Sequence, residues 1–164
     1  MLDGQYFHKG YVTRDLARAM EGLSNLYGMT FETIDAVGKV QTPVGSQRME
    51  MKLALGWHAN LEYELIEPLA GYVDFYSDML GPDHTPRLHH TGVLVDDWQR
   101  LESDIAAQGL PVIASGDLGE IKYAYVDTRA GLGHYVEYMW MSDAMWAARR
   151  AGTSTTDLNR LAGR

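Results

Sequence analysis

The chain has 164 residues, of which 46% are hydrophobic and 22% are charged, and its formal net charge is −8. This composition is typical of a globular protein of one domain or two very small ones, and the acidic balance argues against binding to nucleic acid or to anionic membranes. The sequence contains no run of about 18 apolar residues, which is the length needed to span a bilayer. Because a secretory signal pattern and cysteines are both lacking, we expect a cytoplasmic protein whose metal ligands, if any, are His, Asp or Glu.

The first half of the sequence predicts a strand, a helix and three further strands. Residues 6–13 have the pattern of a strand, and Asp15 can cap a helix whose apolar residues recur at helical spacing as far as Gly28. Residues 29–34, 49–57 and 60–68 are the next strand candidates. Residues 35–48 are predicted to form a loop at the border of the cup that the strands enclose. A linker over residues 69–86 follows, with a short helix at residues 72–80.

The second half predicts the same order of elements. Residues 88–95 form a strand candidate, Asp97 can cap a helix that ends near Gly109, and residues 111–114, 121–127 and 133–140 are strand candidates. We therefore predict an α+β fold of two βαβββ modules, residues 1–68 and 87–141. Their eight strands are expected to form a cup-shaped sheet around a metal site. Residues 142–164 are expected to form a C-terminal helix and a polar tail.

The two halves also match residue by residue in their first strands. The segment YFHKGYVTRDL at residues 6–16 aligns without a gap with LHHTGVLVDDW at residues 88–98. The aligned pairs are His8 with His90, Gly10 with Gly92, and Asp15 with Asp97. In the last strands, the segment YEL at residues 63–65 aligns with VEY at residues 136–138. An internal repeat of this kind predicts that each half contributes equivalent residues to one structure.

The repeat leaves four polar residues in equivalent places. They are His8 and His90 on the first strands, and Glu64 and Glu137 on the last strands. Ionised carboxylates inside a cup are costly unless they are paired or coordinated. Imidazole nitrogen and carboxylate oxygen suit one divalent ion of zinc, nickel, cobalt, manganese or iron. If the two modules face one another across a pseudo-twofold axis, the four side chains converge on that ion.

Strand alternation sorts the neighbours of these four residues. Side chains two positions apart share a face, which makes Glu62 and Tyr135 candidates for lining the pocket. The same alternation turns His89, Glu67 and His134 away from it. Four further side chains are expected to line a cup that suits an apolar or aromatic substrate: Trp57, Tyr123, Tyr125 and Met139. The other side chains considered are expected to be structural, core or surface residues: Met49, Met51, His58 and His84.

Four segments of the chain resemble the vicinal oxygen chelate superfamily, also called the glyoxalase/bleomycin-resistance/dioxygenase superfamily. They are HKGYVTRDL, YELIEPL, LHHTGVLVDD and GHYVEYMW, and the resemblance covers about residues 5–141. The chain is most similar to the branch of methylmalonyl-CoA epimerases and glyoxalase-related proteins, although these epimerases typically have glutamine at the place of Glu64. In glyoxalase I, a His and a Glu from each module hold the metal. The resemblance therefore implies the ligand set His8, Glu64, His90 and Glu137.

The resemblance implies a metal-dependent isomerase, epimerase or lyase that acts on a small molecule. In such enzymes the metal is a Lewis acid, and a carboxylate removes and returns a proton next to a carbonyl. Glu137 is the first candidate for this base and Glu64 is the second. Glu62 is a further candidate, which lies nearby but is not expected to bind the metal. Cups of this family often pair, so a homodimer is expected, with Trp140 and Trp146 contributing apolar surface.

Two other functions stay open at this stage. An extradiol-type dioxygenase would use ferrous iron held by two His and one carboxylate, and a fourth ligand at Glu64 would crowd that site. A resistance protein that only sequesters a ligand would turn nothing over, but such relatives commonly lack the metal ligands. A plain structural domain has no positive feature in the sequence.

Overall fold

The computed structural model describes residues 2–152. The first module contains β1 (Gln5–Val12), α1 (Leu16–Tyr27), β2 (Glu32–Thr42), β3 (Gly45–His58) and β4 (Leu61–Gly71). A short helix, α2 (Asp74–Ser77), lies in the connection. The second module contains β5 (Arg87–Leu94), α3 (Trp98–Gln108), β6 (Val112–Asp117), β7 (Ile121–Val126), α4 (Arg129–Leu132) and β8 (Tyr135–Met141). The last described helix is α5 (Asp143–Arg150). None of the helices within residues 2–152 has the length and apolar character needed to cross a lipid bilayer.

The two long helices begin and end where the sequence predicts. The side chains of Asp15 and Asp97 each accept a hydrogen bond from the backbone amide three residues later, which satisfies a free donor of the first helical turn. Gly28 and Gly109 end the helices in the left-handed backbone conformation, at φ of 66° and 62°. Glycine takes this conformation without steric cost, so both helix ends are explained by local chemistry.

All eight strands form one closed sheet in which both modules have the same strand order. The first module runs β1-β4-β3-β2 and the second runs β5-β8-β7-β6. In each module the first and last strands are parallel, and the other neighbours are antiparallel. The modules join through the antiparallel pair β1–β5 on one side and at Gln41–Ser115, between β2 and β6, on the other. The predicted α+β fold of two βαβββ modules is confirmed.

The prediction of a loop at residues 35–48 is wrong. Strand β2 pairs with β3 along its whole length, from Glu32–Leu55 to Thr42–Gly45, so the turn of this hairpin is at residues 43–44. The strand predicted at residues 29–34 therefore begins later and runs further. Ile34 and Val40 are the buried residues of β2, and this weak apolar pattern concealed a strand that backbone hydrogen bonds hold in place.

The remaining boundaries differ by a few residues from the predicted ones. Strand β6 continues to Asp117 rather than ending at residue 114, and the linker helix is limited to Asp74–Ser77. Helix α4 was not predicted. The division of the chain into residues 1–68, 69–86, 87–141 and 142–164 stays a prediction. The polar tail, from residue 153 onward, lies outside the described residues.

The long helices cover the outer face of the sheet and leave the inner face to the site. Helix α1 packs on a cluster that includes Leu65, and α3 packs on a cluster that includes Val136. Because successive side chains of a strand point to opposite faces, the neighbouring Glu64 and Glu137 point inward. Because Leu65 and Val136 are buried under the helices, the carboxylates next to them in the sequence point toward the interior of the sheet.

Two glycines make room for the two repeated histidines. Across the antiparallel pair β1–β5, His8 lies opposite Gly92, and Gly10 lies opposite His90. A Cβ atom added at Gly10 would lie 1.9 Å from Cε1 of His90, and one added at Gly92 would lie 2.1 Å from Cε1 of His8. Each module therefore supplies the space that the other module's imidazole occupies, which explains why histidine and glycine recur together at this spacing.

We predict that Gly10→Ala destabilises the protein by about 1–3 kcal/mol, because the new Cβ must displace the buried ring of His90. Gly38→Ala on β2 is the matched control, since an added Cβ there meets no atom within 4 Å. The control should change the free energy of unfolding by no more than about 0.5 kcal/mol. Urea denaturation measures both values. Equal stability of the two variants would contradict the proposed fit of histidine to glycine.

Candidate metal centre

Four consecutive strands of the closed sheet bring the four predicted ligand side chains together. In the order β8, β5, β1 and β4, these strands carry Glu137, His90, His8 and Glu64. One nitrogen or oxygen atom of each residue lies within 4.8 Å of those of the other three. The exposed fractions of all four residues are 8% or less, so the cluster is enclosed by protein.

The ring nitrogens and carboxylate oxygens of the cluster point toward one another. Nε2 of His8 lies 3.0 Å from Oε2 of Glu137, and Nε2 of His90 lies 3.4 Å from the same oxygen. Oε2 of Glu64 lies 3.2 Å from Nε2 of His90 and 3.9 Å from Nε2 of His8. Atoms bound at about 2.1 Å to one tetrahedral or octahedral ion are separated by about 3.0–3.4 Å, so three of these four distances fit shared coordination and the distance from Glu64 to His8 is longer.

An unpartnered buried oxygen also fits a cation. Oε2 of Glu64 is buried and has no hydrogen-bond partner within residues 2–152. Nε2 of His90 is the near nitrogen at 3.2 Å, but it is not oriented to donate a hydrogen bond. A carboxylate oxygen without water or a donor is costly to bury, and a bound cation removes that cost.

The charges buried around the cluster could be balanced by a metal ion. Beneath it, Glu62 and Arg149 form a fully buried ion pair, with Nη2 of Arg149 2.7 Å from Oε2 of Glu62 and Nε 3.0 Å from both oxygens. Arg149 neutralises one of the three carboxylates. When both imidazoles are neutral, as metal ligands must be, Glu64 and Glu137 leave two negative charges, the number that a divalent cation balances.

The histidines and glutamates of the cluster stabilise one another's charges. Burial alone would raise the pKa of Glu137, but the imidazoles of His8 and His90 hold it well below its ordinary value. The pKa of Glu64 is lowered for the same reason against the same cost of burial. Conversely, Glu137 and Glu64 raise the pKa of His90 to about 9, although burial opposes this. The carboxylates are therefore ionised at neutral pH.

The other four histidines lie outside the cluster, and strand alternation predicted this for His89 and His134. His89 is buried on the opposite face of β5 and reaches His90 from behind, with 2.9 Å between their Nδ1 atoms. Burial lowers the pKa of His89 well below its ordinary value. His58 and His84 are exposed, and His134 is partly buried with Nδ1 2.7 Å from the carbonyl oxygen of Tyr135.

A cavity of about 350 Å³ opens beside the cluster. Its wall includes Glu64 and Glu137 together with three of the predicted lining residues, Tyr123, Tyr125 and Met139. It also includes Met49 and Met51, which were expected to be core or dimer-interface residues. Residues of β2 between Ile34 and Lys39 form another part of the cavity wall, on the side where a loop was expected.

The structure places three predicted lining residues outside the cavity wall. Glu62 shares the inner face with Glu64, as predicted, but Arg149 covers it. Trp57 turns toward the last helix, where its indole Nε1 donates to the carbonyl oxygen of Arg149. Tyr135 is buried against the ring of His89, with ring centroids 4.8 Å apart. In each case a partner from another element holds the side chain away from the opening.

Two polar residues of the cavity wall were not among the predicted site residues. Arg149 comes from α5, and Tyr76 comes from the short helix of the linker. A signal existed for Arg149, since it lies four residues after the buried Met145 and thus on the apolar face of its helix. A lone charged residue on such a face requires a buried partner. Nothing comparable marks Tyr76.

The comparison with protein families identifies this architecture. The sequence model of the Glyoxalase/Bleomycin resistance protein/Dioxygenase superfamily matches residues 7–125, a span that includes His8, Glu64 and His90 and ends before Glu137. The chain therefore belongs to this superfamily. A search of curated proteins found no match.

Solved structures with the same fold include enzymes of different activity. Methylmalonyl-CoA epimerase from Mycobacterium tuberculosis is 17% identical, with 90% of this chain and 97% of that chain covered and a TM-score of 0.59. A hypothetical protein from Bacillus halodurans C-125 is 14% identical, with 87% and 97% covered and a TM-score of 0.61. A mutant 4-hydroxymandelate synthase from Streptomyces coelicolor is 14% identical, with 85% and 49% covered and a TM-score of 0.58. At these identities the similarity shows the fold.

We predict that Arg149→Met destabilises the protein by roughly 3–5 kcal/mol, because it leaves the buried carboxylate of Glu62 without a counter-charge. The double variant Glu62→Gln with Arg149→Met should recover most of this loss. Arg150→Met is the control at an exposed neighbouring position and should cost less than about 1 kcal/mol. Urea denaturation of the unsubstituted protein and the three variants measures these differences in the free energy of unfolding. A double variant as unstable as Arg149→Met would refute the charge argument.

We also predict that metal affinity rises with pH. At pH 7 the ring of His90, with its pKa raised to about 9, holds a proton that the metal must displace. The apparent affinity should increase about tenfold per pH unit up to about pH 9 and become constant above it. Calorimetric titration in buffers of different ionisation enthalpy counts the released proton. An affinity that is independent of pH between 7 and 9 would contradict this prediction.

Proposed function

We propose that this protein is a metal-dependent enzyme of the glyoxalase-like type, an isomerase, epimerase or lyase that transfers a proton next to a carbonyl group. One observation carries the proposal. A His and a Glu from each module place four donor atoms within 4.8 Å of one another, beside a cavity with a largely apolar wall. This combination of a charged cluster and an apolar cavity is typical of sites that bind and transform a small molecule.

The proposed ligands are Nε2 of His8 and His90 and the carboxylates of Glu64 and Glu137. The ion would be zinc, nickel, cobalt, manganese or iron in its divalent state. When bound, it would supply Lewis acidity that polarises a substrate carbonyl and stabilises the negative charge that develops as a proton leaves carbon.

Glu137 is our first candidate for the base, and Glu64 is the second. Both carboxylates lie on the cavity wall, so both can reach a bound substrate. Glu137 is ionised, as a base must be, although its contacts with His8 and His90 lower its pKa and with it its basicity. It would return the proton either to the same carbon or to its neighbour. Glu62 is the least suitable candidate, because Arg149 occupies both of its oxygens.

The cavity supports a small substrate with an apolar or aromatic body. Its volume of about 350 Å³ is at the lower end of the range for ligand sites, which is roughly 300–1,000 Å³. Leu53, Met51 and Ile121 give it an apolar wall. The hydroxyl groups of Tyr76 and Tyr125 are 3.1 Å apart, and burial raises both of their pKa values well above 10. Both therefore remain protonated, and because Tyr76 donates its hydroxyl hydrogen to Tyr125, the hydroxyl hydrogen of Tyr125 is left to donate to a substrate oxygen.

The two alternatives from the sequence have less support. An extradiol-type dioxygenase needs two His and one carboxylate with open positions, whereas Glu64 lies as close to His90 as Glu137 does. A protein that only sequesters its ligand would have no use for four buried ionisable ligands, which are costly to maintain. A homodimer and a cytoplasmic location also remain predictions for this protein.

Metal analysis followed by activity screening tests the proposal. We expect one equivalent of divalent metal per chain, and metal-dependent exchange of a carbon-bound proton with deuterated solvent. The first substrates to test are a glutathione hemithioacetal, racemic methylmalonyl-CoA and a catechol. Oxygen uptake with iron and the catechol would favour the dioxygenase. Absence of stoichiometric metal, with ligand binding unaffected by a chelator, would favour sequestration and refute the proposed enzyme.

We predict that Glu137→Gln lowers turnover by about 10²–10⁴-fold or more, because the amide cannot accept the substrate proton. The fold should be intact, as circular dichroism would show. Glu67→Gln is the matched control, since Glu67 faces away from the cavity and its Oε2 accepts a hydrogen bond from the amide of Leu16, which an amide oxygen can also do. Full activity of Glu137→Gln would eliminate Glu137 as the base.

A further inference from the structure

A second histidine stands directly behind one of the proposed metal ligands. His89 is completely buried, and its ring makes two polar contacts. Its Nδ1 lies 2.9 Å from Nδ1 of His90, and its Nε2 lies 3.1 Å from the carbonyl oxygen of Phe75. Both contacts are short enough for hydrogen bonds, so each must have one proton between its two heavy atoms.

These two contacts determine where the protons are. A carbonyl oxygen can only accept, so Nε2 of His89 carries a proton and donates it to Phe75. A cationic His89 would be a buried charge with no carboxylate partner in the described part of the chain, which is costly. The ring is therefore neutral, and its Nδ1 is an acceptor. The proton in the contact with His90 must then belong to Nδ1 of His90.

The consequence for His90 concerns its other nitrogen. A neutral imidazole with a proton on Nδ1 has its free lone pair on Nε2. Nε2 is the atom of His90 that lies 3.2 Å from Glu64 and 3.4 Å from Glu137, inside the candidate metal centre. The contacts from Phe75 through His89 to His90 thus direct the lone pair on Nε2 of a neutral His90 toward the proposed metal site.

The other module has no equivalent arrangement. The residue aligned with His89 is Phe7, whose ring offers no hydrogen bond. Nδ1 of His8 has no hydrogen-bond partner among residues 2–152, and Oε2 of Glu62 is 4.0 Å away and paired with Arg149. The two imidazoles are repeat-related in position, but only the orientation of His90 is secured through its far nitrogen.

We propose that His89 is a positioning residue, which holds the Nδ1 proton of His90 and so makes Nε2 the nitrogen through which His90 binds the metal. The helix α2 contributes by presenting the carbonyl group of Phe75. The proposal rests on the proposed metal centre and adds to it a residue outside the ligand set. Groups that orient a ligand in this way typically change metal affinity by about 10–100-fold when they are lost.

The test compares metal binding by two substitutions at this position. His89→Phe keeps an aromatic ring among Phe75, Tyr76 and Tyr135 but removes both nitrogens. We expect its dissociation constant for Zn²⁺, measured by competition with a chromophoric chelator, to rise about 10–100-fold. His89→Gln keeps an acceptor and a donor on one side chain and should recover part of the affinity. His134→Phe is the control and should bind Zn²⁺ as the unsubstituted protein does.

Nitrogen-15 NMR of the histidine side chains in the zinc-loaded protein gives a second, independent readout. We expect His89 to carry its proton on Nε2, and His90 to carry its proton on Nδ1, with Nε2 shifted by the metal. A His89 protonated on Nδ1 would overturn the proposal even if His89→Phe failed to fold. Zinc affinity in His89→Phe equal to that of the control would also overturn it. If the unsubstituted protein binds no divalent metal, the proposed function fails first and this proposal fails with it.

Discussion

The burial of charge in the middle of an apolar sheet is the constraint on which this structure depends. Three carboxylates and one guanidinium lie beneath or beside the cavity, at or below 8% exposure. In such surroundings an ionised group without a partner costs several kcal/mol. Arg149 satisfies Glu62, and the histidines partly satisfy the other two carboxylates. The proposed divalent ion would supply the remaining positive charge. The compensation of buried charge would then account both for the arrangement of the side chains and for the proposed chemistry.

Duplication explains the inner part of the site, and the rest comes from elsewhere in the chain. The four candidate ligands occupy repeat-related positions, and each module's glycine makes room for the other module's imidazole. The residues that support them do not follow the repeat. Arg149 comes from the last helix, and the carbonyl group of Phe75 comes from the linker. A symmetric cluster is thus held by asymmetric surroundings.

Much of the fold and the four candidate ligands could be predicted from the sequence, because the signals are local or repeated. Asp15 and Asp97 cap their helices through neighbouring amides, and such contacts depend on few residues. The part of the β2–β3 hairpin at residues 35–48 escaped prediction, since backbone pairing holds it and few of its side chains are buried. The wall residues Arg149 and Tyr76 were missed because their neighbours are far away in the chain.

The join between β1 and β5 has a consequence for how the protein reaches its native state. His8 and His90 are 82 residues apart, yet their Nε2 atoms lie 2.9 Å from one another. Neither module alone contains more than half of the cluster, so the complete cluster forms only after a long loop has closed, a step that is slow for contacts of high sequence separation. Any ion that binds all four side chains thereby selects the fully assembled chain over every partly folded one, and its binding free energy adds to the stability of the whole molecule.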